Sequence, residues 1–211
     1  MKNLGKFILL FSSFVMAFAI VSCNHEKDGE KMVDISSKDE IIFSDGDYEV
    51  TQVEYIYGEG HDEDCKTADV ITTDFYEATF EGSEVTTAKK STKMVFATEE
   101  SKVLYLAVKE SQTTEEGVTK DFDDENYTVT ITYENPISST STVDAVKAQF
   151  FPESETGEKI KVEISDHYAK QTEDASKMEY GYLKRIYTRT SESAEWEASS
   201  PYRYKITIEK K

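Results

Sequence analysis

From Asp47 onward, apolar and polar residues alternate with a period of two, and this pattern limits the chain to half-buried β-strands. Tyr127, Val129, Ile131 and Tyr133 share one parity against Thr128, Thr130, Thr132 and Glu134. Ile160, Val162 and Ile164 alternate with Lys161 and Glu163, and Tyr202, Tyr204, Ile206 and Ile208 with Arg203, Lys205, Thr207 and Glu209. Tyr76, Ala78 and Phe80 make a fourth strand and Met94 to Thr98 a fifth, while Tyr180 to Tyr187 is strand-like, with Gly181 marking a bend or a close approach. Val103 to Val108 (VLYLAV) is apolar at every position and reads as a strand covered on both sides. Between Asp47 and Tyr57 the parity slips, from Tyr48 and Val50 to Val53, Tyr55 and Tyr57, which predicts a bulge near Thr51 or Gln52. Thr142 to Phe151 fits a helix through Val143, Val146 and Phe150 and a strand through Val146, Ala148 and Phe150; the strand is preferred, with Pro152 ending either.

Eight to ten such strands with acidic or Ser/Thr loops predict an all-β fold, an antiparallel meander forming a barrel or, as second choice, a β-sandwich. The chain is acidic, with a formal charge of -18 over 211 residues, yet 11 Phe, 13 Tyr and one Trp supply the aromatic area for a folded core. The same charge argues against nucleic acid as a partner, because phosphate backbones are bound by Lys and Arg.

The first residues are of a different kind. Lys2 and Lys6 precede an apolar run from Phe7 to Val21, too short to span a bilayer comfortably and of the length of a secretory h-region. Ile20-Val21-Ser22-Cys23 then resembles the lipobox of bacterial lipoproteins. The resemblance implies removal of a signal peptide at 1–22, lipidation of Cys23, and a membrane partner reached through acyl chains such as palmitate. Asn24 after that cysteine is not the aspartate that retains enteric lipoproteins at the inner membrane, so the expected location is the bacterial cell envelope at the outer membrane, with the periplasmic or surface face left open. The polar stretch Asn24 to Lys38 reads as a solvated tether; the organisation is therefore lipidated cysteine and flexible tether over 23–44, then one all-β domain over 45–211.

The opening DGDYEVTQVEYIYGEG, a TFEGSEV hairpin and the closing strand YRYKITIEKK resemble the lipocalin-like domains of bacterial lipoproteins. That resemblance implies a barrel whose cavity takes a small apolar ligand. The alternative is a surface-exposed protein-interaction or adhesive module without a cavity, and a carboxylate-based hydrolase stands third.

The residues that bear chemistry are few. His61, Asp62, Glu63, Asp64 and Cys65 place imidazole, carboxylates and a thiol within one short loop, a weak metal candidate against a solvated acidic loop. Asp121 to Asn126 resembles the start of a calcium loop but has Asn126 and Thr132 where an EF-hand needs Gly and Glu. Asp166-His167 is the one orienting pair suited to acid–base work. No nucleophile-elbow, zincin or phosphate-loop motif occurs, so neither catalysis nor a cofactor is expected.

Overall fold

A computed structural model describes residues 31–58, 68–111 and 114–211. Cys23, with residues 1–22 before it, and the His61, Asp62, Asp64 and Cys65 segment lie outside these residues. The elements are β1 (Met32–Asp34), β2 (Gly46–Ile56), β3 (Val70–Glu81), β4 (Glu84–Phe96), α1 (Glu99–Glu110), β5 (Val118–Asp123), β6 (Thr128–Thr142), α2 (Val143–Phe150), β7 (Glu155–Thr156), β8 (Ile160–Thr172), β9 (Lys177–Thr188), β10 (Glu197–Ala198) and β11 (Tyr202–Lys210). All strands join one antiparallel sheet in the order β1-β8-β9-β11-β2-β3-β4-β6-β5, with β7 and β10 as short additions to β8 and β9. The all-β class is as the alternation predicts; the strand path stays open rather than closing on itself.

Both helices lie on one face of the sheet. Val146 and Phe150 of α2 pack with Tyr48, Val50, Phe80, Val85 and Ile208, while Tyr105 of α1 packs with Ile56, Val70, Met94, Phe96 and Val129. Val50 and Ile56 have the same parity on β2, and their cross-strand partners Tyr76 and Val70 have the same parity on β3, so the two cores are ends of one surface. Tight Gly82, at φ 59, lets β3 turn directly into β4.

Four expectations need correction. Val103–Val108 is part of α1, not a strand: Thr98 and Ser101 form a reciprocal cap, with each side chain accepting from the other's backbone N–H, and Ser101 and Tyr105 turn inward while Val103 and Leu106 stay exposed. A continuous apolar run is compatible with either period, and here the cap decides. Thr142–Phe151 is likewise helical. The Thr142 hydroxyl accepts from Ala145 N at 3.2 Å, and Val146 and Phe150, one turn apart, both enter the core.

Part of the stretch expected as a tether, from Met32 on, belongs to the folded sheet and core. Met32–Asp34 pairs with β8, Ile41 is fully buried, and Phe43 packs against Phe80 with ring centroids 4.6 Å apart. Apolar side chains spaced between charges were sufficient to bring this segment into the core, although they show no sustained period. Finally, β2 runs in unbroken register with both β3 and β11, so the bulge expected at Thr51 or Gln52 is absent. Register shifts fall instead in β4, around Lys90, in β6, where Tyr133 to Pro136 are extra against β4, and in β8, between Ser165 and Tyr168.

Candidate functional site

The parity slip in β2 has a different cause. Between the two apolar ends of the helix-bearing face, the inward positions of the central strands are polar: Gln52 and Glu54 on β2, Thr72 and Asp74 on β3, Lys89 and Thr92 on β4. The register sets Gln52 opposite Asp74, Glu54 opposite Thr72, and Asp74 opposite Thr92. On the other side Glu54 faces Tyr204 of β11, and Tyr204 faces Tyr182 of β9. The result is a belt of polar and tyrosine side chains crossing five strands. At the same level Val53 is buried on the opposite face, where Tyr55, Tyr57, Ile71 and Leu183 also gather. Apolar character thus changes face because the belt occupies this one.

Asp74 is the belt's most buried charge, 4% exposed. Lys89 Nζ stands 2.7 Å from its Oδ1, the Thr92 hydroxyl donates to the same oxygen, and the Tyr76 hydroxyl donates to Oδ2 at 3.4 Å. A buried carboxylate requires such compensation, since burying an unpaired charge costs several kcal/mol. The β4 bulge makes it available. With Lys90 as the extra residue, Lys89 comes opposite Tyr76 on this face, while Lys90 turns away to pair with Glu77 at 2.8 Å. Burial and the neighbouring Asp74 charge push the Tyr76 hydroxyl well above its ordinary pKa.

Glu54 has weaker support. Tyr204 Oη donates to its Oε1 at 2.9 Å, which lowers its pKa, as does the Lys184 charge. Burial outweighs both and, with the Asp74 charge, raises the carboxyl to about 7. Tyr204 stacks on Tyr182 with centroids 4.9 Å apart, and Tyr180 and Tyr202 flank the stack at 6.3 and 6.2 Å from Tyr182 and Tyr204 respectively. Burial, then the charge of Glu54, moves Tyr182 up to about 12. The belt therefore presents neutral hydroxyls beside one carboxyl near its midpoint at neutral pH.

Two oxygens of the belt, Gln52 Oε1 and Thr72 Oγ1, are buried without a hydrogen-bond partner. Gln52 borders a cavity of about 20 Å³ under α2, lined also by Val50, Phe80, Val146, Phe150 and Ile208. That volume matches one water and is far below a small-molecule pocket.

The other candidates resolve separately. Asp166 and His167 do not act as a pair: the β8 bulge holds Asp166 at φ 52, where it takes Arg203 Nη2 at 2.9 Å, and sends His167 the other way to donate from Nε2 to the Phe150 carbonyl. In the Asp121–Asn126 segment, Asp123 accepts from the backbone of Glu125 and Asn126, and Asp124 accepts from Lys109 and Tyr105. These carboxylates serve a hairpin and the docking of α1. Among the described residues no group of three or more His, Cys, Asp or Glu side chains is placed to hold a metal ion. Sequence reasoning missed Glu54, Asp74 and Lys89, although polar letters at inward parity, Gln52 and Glu54 after Tyr48 and Val50, were the available signal.

No protein-family model, curated protein or solved structure matches the chain in comparisons with known proteins.

Proposed function

We propose that this protein is a lipid-anchored component of the bacterial cell envelope, held to its membrane through acylated Cys23, and that its β domain binds a partner by its surface without catalysis. The anchor reading rests on the basic n-region, the short apolar run and Ile20-Val21-Ser22-Cys23. No helix among the described residues is long and apolar enough to cross a membrane. Several acyl chains, each contributing about 0.8 kcal/mol per buried methylene, are enough for lasting attachment.

One observation favours surface binding over the lipocalin-like ligand reading. A small apolar ligand needs about 300 Å³ or more of enclosed space, and the cavity under α2 holds about 20 Å³. The belt's core is buried, but its margin carries the partly exposed rings of Tyr76, Tyr182 and Tyr202, and these are the surface best suited to contact, because rigid amphipathic rings give contact area at low entropic cost.

Labelling with radioactive palmitate in a bacterial host tests the anchor: label is expected on the full chain and lost in Cys23→Ala, and label retained by that variant overturns it. Native mass spectrometry of the intact protein tests the binding mode. A stoichiometric small molecule retained from the host would return the reading to an enclosed ligand, and glycoside turnover abolished by both Glu54→Gln and Asp74→Asn would make the protein a hydrolase.

A further inference from the structure

The two edges of the sheet are finished differently. At one edge β8 is shielded by β1 over its last residues and by β7 near its start, and between them its bulge breaks the ladder at Asp166. Such interruptions are the usual protection of an edge. At the other edge β5 pairs with β6 only from Thr128 to Tyr133, whereas β6 continues along β4 from Ile137 to Thr142. Among the described residues nothing pairs with the outer side of this second half.

From Ile137 onward this open length carries none of the residues that normally discourage edge pairing. Asn135 to Thr142 reads NPISSTST, with no charge in eight residues of a chain that is 31% charged and carries -18 overall. Pro136 lies at the irregularity between the two paired stretches of β6, just outside the open length, and Ile137 is 53% exposed. The Ser and Thr side chains suit strand pairing, since hydroxyl pairs across a ladder contribute rather than repel.

We propose that the outer edge of β6, residues Ile137 to Thr142, pairs antiparallel with the same edge of a second copy of this chain, so that two sheets become one. The choice of a second copy follows from charge. Most surfaces of so acidic a chain oppose like charges when they meet their own copy; this edge opposes none. The geometry also closes. Residues directly opposite one another in an antiparallel ladder point to the same face, and residue parity sets the face here, so the two-fold axis must pass through a residue. An axis at Ser139 sets Ser138 opposite Thr140 of the copy and Ile137 opposite Ser141, and an axis at Thr140 sets Ser138 opposite Thr142 and Ser139 opposite Ser141; neither sets charge against charge.

Disulfide trapping reads a contact of this size better than co-elution. In the full chain carrying Cys65→Ser, a single cysteine is introduced at Ser139, Thr140 or, as control on the exposed face of α1, at Glu100, and the membranes are oxidised. Cross-linked dimer is expected at Ser139 or Thr140 at least tenfold faster than at Glu100. Ser138→Lys with Thr140→Lys, both exposed positions, is expected to abolish the Ser139 cross-link while circular dichroism remains unchanged. Cross-linking at Ser139 and Thr140 no faster than at Glu100, or undiminished by the two lysines, overturns the proposal. This outcome does not depend on the partner bound by the tyrosine belt.

Discussion

Tyr204 donates a hydrogen bond of 2.9 Å to Glu54 across the β11–β2 ladder, and this pair lies where two apolar cores meet on the same face of one sheet. The contact lowers the Glu54 pKa but does not offset its burial, and the carboxyl remains at about 7. The native state consequently binds this proton more tightly than the unfolded chain, where the ordinary value is 4.5.

The sign of the pH dependence follows. Glu54 contributes most to stability below about pH 4.5; the contribution declines as pH rises and is gone above about pH 7. We expect a loss of about 3 kcal/mol over that interval from this group. Urea denaturation at several pH values should show Glu54→Gln flatter than wild type and more stable at pH 8. Parallel slopes in the two proteins would refute the assignment.

Asp74 depends on Lys89 more than Glu54 depends on any cation. Lys89→Met should cost about 3–5 kcal/mol by leaving a buried carboxylate uncompensated. Asp74→Asn combined with Lys89→Met should recover a large part of that loss, and a double-mutant cycle measures the coupling. Additive effects mean that the ion pair does not act as a unit.

A third expectation concerns Gly181, the position where the sequence signals a close approach. A Cβ there would stand 2.7 Å from Tyr168 Cε1 and 2.7 Å from the Tyr204 carbonyl oxygen. Gly181→Ala should destabilise by about 1–3 kcal/mol. Adding Tyr168→Ala should fail to rescue it, because the backbone carbonyl of β11 remains in the way; full rescue in thermal melts would show that only the ring is crowded.

Thr98 anchors α1 from two directions. Its hydroxyl accepts from Ser101 N at 3.3 Å and donates to Asp69 Oδ1 at 2.6 Å, linking the helix start to the residue before β3. Thr98→Ala should cost about 1–2 kcal/mol, and Thr98→Ser much less. Hydrogen exchange should speed up across Glu99–Glu110 in the alanine variant, and unchanged protection there would contradict the capping role.

Local pattern was readable where one principle acted alone. The strands holding Val129, Tyr180 and Tyr202 follow from their letters, since half-burial forces a period of two, although β6 begins one residue after Tyr127, which turns at φ 48. Val103–Val108 and Thr142–Phe151 satisfy both periods, and only their caps and the space over the sheet select the helix. The belt was visible as a disturbance in β2 but was read as a change of backbone, when the cause was a change in what the face carries.

The sequence by itself determined the strand-rich class, the acidity of the chain, and the basic and apolar pattern before Cys23 on which the anchor proposal rests, because composition and short-range periodicity suffice for each. Tertiary structure alone decided that the sheet stays open, that both helices cover one face, and that Glu54, Asp74 and Lys89 meet between them. These facts depend on strand order and on a one-residue bulge at Lys90, and pairing between strands distant in sequence leaves no local mark in the letters.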